Sequence, residues 1–162
     1  MIDANAEELA ERLQEYAGQL SRRREVLEEI AGIGDEMTGR LRTGVFSCLP
    51  ELLDRRGLAL QRLERVLLQN RDVEQALEEA SRLTDHPSAA ISQSASALTD
   101  AGRECAAAVA NIMQSQAECE EILCGAVGAE RSRLKQAKQA KRFAATYPDL
   151  RGNTPRFLDS KQ

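Results

Sequence analysis

Apolar residues first settle into a heptad rhythm near the start of the chain. Leu9, Leu13, Tyr16, Leu20, Leu27, Ile30, Met37 and Leu41 fall at alternating steps of four and three, with Arg23 and Gly34 in the two remaining places. An a/d seam of this kind predicts one helix over about residues 5–43, packed almost parallel to a neighbouring helix axis. Asn5 followed by Glu8 has the spacing of a capping pair at its start. Gly32 and Gly34 weaken the later turns, which predicts a kink or brief break there. Thr43-Gly44 reads as the stop.

A second helix is expected over about residues 47–82, with Pro50 tolerated in its first turn. Leu53, Leu60 and Leu67 repeat every seventh residue, as do Leu63, Asn70 and Leu77, while Leu52, Val66 and Val73 widen the stripe. So broad an apolar face asks for two neighbours rather than one, which points to a bundle. Gly57 sits inside this face with no visible reason. Thr84-Asp85-His86-Pro87 then marks a turn, since proline disfavours helix at the residue before it.

From Ser88 to Thr146 there is no proline, and Ile91, Ala95, Leu98, Gly102, Cys105, Val109, Ile112, Gln116, Cys119, Leu123 and Ala126 continue a heptad series. This predicts a third helix over about residues 88–146 whose early seam is built from small side chains that let a partner helix approach closely. The expected fold is thus all-α: an elongated antiparallel, coiled-coil-like bundle of three long helices. Residues 1–146 make up the helical domain, and 147–162 form an irregular C-terminal tail. Pro148 ends the third helix, and Arg151-Gly152-Asn153-Thr154-Pro155 reads as loop.

Composition agrees with helix and narrows the function. Apolar residues make up 42% of the chain but aromatics only 3%, with no tryptophan and few β-branched side chains. The 22 basic and 26 acidic side chains leave a net charge of −4, which disfavours general DNA binding. Arg131, Lys135, Lys138 and Arg142 make a positive stripe late in the third helix, yet no aromatics are interleaved for base stacking, and a solvated face, or one that meets acidic residues of a protein partner, fits it better than nucleic acid. The chain opens without a secretory leader and contains no run of eighteen apolar residues, so no membrane insertion and a reducing, cytoplasmic location are expected.

Chemistry is sparse. His86 is the one histidine and lies in a turn; no glycine-rich phosphate loop, His-Glu-x-x-His pair, CxxC pair or Glu-x-x-His signature occurs. Cys119 and Cys124 point about 140° apart on a helix, while Cys105 and Cys119 share an apolar face and read as small buried hydrophobes. No catalytic residue, cofactor or metal site is expected, and the protein is not expected to be an enzyme. Leu123, Val127, Leu134, Phe143 and Tyr147 give a sparse apolar line that is an internal seam, a dimer interface or a groove for an amphipathic helix of a client. Phe157 and Leu158 stand as an apolar pair in an otherwise polar tail and are candidates for docking.

The segment MTGRLRTGVFSCLPELLDRRGLALQRLE, Met37 to Glu64, resembles the flagellar export chaperones of the FlgN/FliT-like group. There a first helix ends in a short glycine-containing link and a second opens with a Leu-x-x-Leu-Leu-x-x-Arg/Lys run; Gly44, Leu49, Leu52, Leu53 and Arg56 hold those places here. The ending, with Arg156, Phe157, Leu158 and Asp159, is similar to the family's Arg-Phe-x-Asp-like tail. Family members commonly carry a Gly-Asp link where this chain has Gly44-Val45, which leaves the subgroup and the client open. The resemblance implies a small cytoplasmic chaperone that binds the C-terminal amphipathic helix of late export substrates, the hook-associated or filament cap proteins, and prevents their early assembly. Export-gate or ATPase components are then further candidate partners, Phe157 and Leu158 either close the groove or join the client interface, and a homodimer stays open. The competing expectation is a structural helical rod or oligomeric scaffold without a transient client.

Overall fold

The computed structural model describes residues 2–70 and 72–146, and among them every regular element is an α-helix: α1 (Ile2–Arg42), α2 (Leu49–Gln69), α3 (Val73–Leu83) and α4 (Ala89–Thr146). The expected bundle of three long helices is therefore corrected to four. The stretch expected as one helix over about residues 47–82 is broken between Gln69 and Val73. Asn70 leaves the helical region at φ −115°, ψ 41°, its N–H bonding back to the Leu67 carbonyl, and Asp72 stands at the N-cap of α3. Packing explains the break. Leu52 and Ala59 mark the buried face of α2, and Val73, Ala76 and Ala80 that of α3. At about 100° per residue, an uninterrupted helix would leave these two faces roughly 80° apart. The break lets α3 turn its alanine-rich face back into the core.

The other chain reversals follow local rules. Gly44 adopts φ +73°, while Val45 N–H reaches the Arg40 carbonyl at 2.9 Å and Gly44 N–H the Leu41 carbonyl at 3.0 Å. This is a Schellman ending, and its left-handed position is one that glycine occupies without a Cβ penalty. Between α3 and α4, the Ser88 N–H donates to His86 Nδ1 at 3.1 Å, and the Ser92 hydroxyl donates to the Thr84 carbonyl. His86 thus serves the turn. Two sequence expectations for α1 are corrected as well. The helix begins at Ile2, so Asn5 lies inside it and not at a cap, and it runs through Gly32 and Gly34 as one element, without the break that was one of the two expectations there.

The chain divides into two compact units, Met1–Ile122 and Leu123–Gln162. In the first unit α1 and α4 run parallel: Cys105 Sγ reaches the Leu20 carbonyl at 3.4 Å, Arg24 pairs with Glu104, Ser115 with Asp35, and Arg42 with Glu118. The middle helices run antiparallel to both, with Arg62–Glu29 and Arg55–Glu36 joining α2 to α1 and Leu77 of α3 lying against Gly102 of α4. A Cβ built on Gly102 would sit 2.7 Å from Leu77 Cδ2, so the missing side chain makes room for the leucine. The principal core joins Leu13, Leu20 and Leu27 of α1, Val73, Ala76 and Ala80 of α3, and Ile91, Ala95, Leu98, Ala101, Cys105 and Ala108 of α4. Small residues on α3 and α4 supply close approach there, while leucines from α1 fill the volume.

Candidate functional site

Beyond this core α2 is buried thinly. Only Leu52 and Ala59 of its 21 residues are buried, and five of its eight leucines are exposed. Arginine fixes its position at two edges. Arg55 and Arg62 reach Glu36 and Glu29 on α1, and Arg56 Nη2 donates to Gln116 Oε1 on α4 at 3.0 Å. The α1 pairs are solvated and each stabilises by well under 1 kcal/mol, so they orient α2 more than they hold it.

The Arg56–Gln116 bond also aligns two apolar rows. Leu53 and Leu60 lie three and four residues either side of Arg56, and Leu67 continues their row seven residues on. On α4, Val109 and Met113 lie seven and three residues before Gln116, on the same side of that helix. Leu53, Leu60 and Leu67 are 53%, 47% and 38% exposed, and Val109 and Met113 are 38% and 68% exposed. A side chain of this size gains about 1.5–3 kcal/mol on full burial, so α2 and α4 each carry unmet apolar area beside the bond that joins them, which makes the space between the two rows a candidate α2–α4 cleft. The sequence expectation of a broad apolar face covered by two neighbours holds for Leu52 and Ala59 and not for Leu53, Leu60 and Leu67.

The sequence-derived client residues fall in the second unit. Leu123 is half-buried, and Val127, Leu134 and Phe143 are exposed. By helix geometry Leu123, Val127 and Leu134 lie within about 40° of each other, whereas Phe143 lies about 180° from Leu134. The structure brings the first three onto one face and sets Phe143 on another. Tyr147, Phe157 and Leu158 lie outside the described residues. Of the positions that carry the family resemblance, Gly44 ends α1, Leu49 is half-buried, Leu52 is buried, Leu53 is exposed, and Arg56 bonds across to Gln116.

Between α1 and α4 a polar cluster replaces the core at its far end. Thr38 Oγ1 lies 3.0 Å from the Gly34 carbonyl and 3.1 Å from Cys119 Sγ, consistent with a relay from the thiol to the hydroxyl to the carbonyl. Ser115 Oγ lies 2.9 Å from the Asn111 carbonyl and 3.2 Å from Asp35 Oδ1. Neither arrangement joins a base to an exposed nucleophile. Among the described residues no group of three or more histidine, cysteine, aspartate or glutamate side chains is placed to hold a metal ion.

Two titrating groups are perturbed. The hydrogen bond and charge of Glu104, with Glu28 adding to them, hold the Arg24 guanidinium above its ordinary value. Burial pushes the Cys105 thiol up, against the opposing charges of Arg23 and Arg24. A raised thiol gives less thiolate, which is the reactive form. Ellman's reagent is therefore expected to titrate the exposed Cys124 and half-buried Cys48 of the native protein quickly, and Cys105 and Cys119 only after denaturant is added. Four equally fast thiols would contradict the burial described here.

No protein family, no curated protein and no solved structure matches the chain. No helix among the described residues is long and apolar enough to cross a membrane.

Proposed function

We propose that this protein is a non-enzymatic chaperone that receives an amphipathic helix of a protein client in the α2–α4 cleft. The observation that carries the reading is the pair of exposed apolar rows, Leu53, Leu60 and Leu67 on α2 and Val109 and Met113 on α4, each on the side of its helix that the Arg56–Gln116 bond joins. Residues spaced by three, four and seven along a helix are what an incoming helix offers in return, and its insertion would complete a bundle that α2 leaves open. A rod without a client would be expected to close its seams, and α2 does not close this one.

The Met37–Glu64 segment, with Gly44, Leu49, Leu52, Leu53 and Arg56 in place, supports a more specific form of the proposal. In that form the client is the C-terminal helix of a late flagellar export substrate, a hook-associated or filament cap protein. The chaperone acts in the cytoplasm, masks a surface that would otherwise assemble early, and passes the client to the export apparatus.

Calorimetric titration of the full chain with C-terminal segments of the hook-junction and cap proteins from the same cell tests both forms. Saturable binding at about micromolar affinity or tighter is expected, since the buried apolar area is offset by the entropy of association. Leu53→Glu with Leu60→Glu should weaken it by about 100-fold, as each change leaves a carboxylate inside the closed cleft. Both positions are exposed, so the variant keeps the wild-type melting temperature. Binding that the double variant leaves intact would remove the cleft from the mechanism. Absence of heat with every segment would remove the flagellar client.

A further inference from the structure

The charges of this protein are sorted along the chain. Residues 1–122 carry 13 basic and 23 acidic side chains, a net of −10, whereas residues 123–146 carry six basic side chains and one acidic. That single carboxylate, Glu130, is taken by Arg133 Nη1 at 2.7 Å. Helix geometry puts Arg131, Lys135, Lys138 and Arg142 within about 60° of one another, on a strip that Glu130 and Arg133 do not share. Val127 and Leu134, both exposed, lie along the edge of this strip. The second unit therefore carries a face with an apolar line and a cationic line side by side.

We infer that this face is a second docking surface, and that its occupant is an acidic amphipathic helix of a partner protein. Charge complementarity selects the class. An incoming helix with apolar residues at three- and four-residue spacing and carboxylates on one flank meets Val127 and Leu134 with its apolar edge, and Arg131, Lys135 and Lys138 with its acidic flank. Polyanions match less well. The strip has no aromatic side chain for bases to stack on, Phe143 being turned about 80° or more from each of its members. An interfacial membrane helix would also need a wider bulky face than Leu123, Val127 and Leu134 provide. This inference does not rest on the α2–α4 cleft.

The test uses the full chain and two synthetic three-heptad peptides with leucine at a and d, one with glutamate at e and g and the other with lysine there. Fluorescence anisotropy is expected to show the glutamate peptide binding at least about 10-fold tighter than the lysine peptide, and weakening by about 10-fold between about 50 and 300 mM salt. Measured with Leu53→Glu and Leu60→Glu in place, so that α2 takes no share of either peptide, Lys135→Glu with Lys138→Glu should reverse the preference and Lys135→Arg with Lys138→Arg should keep it. Lys135 and Lys138 are exposed, so folding is not at stake. Equal binding of both peptides, no binding of the glutamate peptide, or indifference to the charge reversal would overturn the inference. So would duplex DNA or phosphatidylserine vesicles binding more tightly than the peptide through the same lysines. Light scattering that shows a dimer of the wild-type chain and a monomer of the charge-reversed one would also overturn it, by giving the face to a second copy.

Discussion

Leu98→Ala is expected to lower the unfolding free energy by about 3 kcal/mol, within the roughly 2–5 kcal/mol range of leucine truncations in cores. Leu98 is fully buried where α1, α3 and α4 meet, in a core whose other α4 members are mostly alanine, cysteine and a single isoleucine. It is one of the few large side chains that α4 contributes, and its neighbours are too short to collapse into the space it would leave. In a chain of 162 residues the loss should appear as a fall of roughly 6–12 °C in melting temperature. Leu60→Ala is the matched comparison. Leu60 is the same residue type on a helix surface, and its removal should change stability by less than about 0.5 kcal/mol. If the two truncations cost the same in urea unfolding, the division between packed α4 and open α2 is wrong.

Gly34→Val should cost about 2 kcal/mol or more, although replacing a helical glycine usually helps. An ideal Cβ on Gly34 would lie 3.1 Å from Ser115 Oγ and 3.2 Å from Ser115 Cβ. Valine adds two methyl groups to that contact, and overpacking costs about 1–3 kcal/mol while the gain in helix propensity is a few tenths. The parting of α1 and α4 would also stretch the bonds of Thr38 to Cys119 and of Ser115 to Asp35, leaving buried polar groups unpaired. Gly32 and Gly39 are the controls, since nothing lies within 4 Å of a Cβ at either. Alanine at these two should stabilise by about 0.5–1 kcal/mol each. Chemical denaturation of the three variants settles the point, and a stabilised Gly34→Val would show that the helices are not in contact there.

The heptads of α1 and the early part of α4 were legible because parallel packing of two long helices repeats one environment every seven residues. Leu13, Leu20, Ile91 and Leu98 are buried where that periodicity put them. The break at Asn70–Asp72 was not legible by the same means. Asn70 and Leu77 fit the heptad count, so the period ran through the break, and only the turn-forming character of Asn70 and Asp72 spoke against it. What forces the break is the direction of the core, a tertiary fact that periodicity does not carry. Gly34 was read as a weak point for a similar reason: propensity describes a lone helix, and the glycine is there for Ser115 on another. The open cleft was half legible. Leu53, Leu60 and Leu67 announced an apolar face, but whether a face is covered depends on the helices around it. Phe143 was placed with Leu134 by proximity in sequence, and nine residues along a helix is half a turn out of phase.

The sorting of charge has a practical side at the bench. A net charge of −4 suggests a protein that an anion exchanger holds and a cation exchanger ignores near neutral pH. A resin, however, samples patches and not sums. The quaternary-amine resin should retain the chain through residues 1–122, and a sulfonate resin at low salt should retain it as well, through the arginines and lysines after Glu130. Elution from the sulfonate should come early for Lys135→Glu with Lys138→Glu, while elution from the amine hardly moves. Purification itself would then map which part of the molecule is holding on.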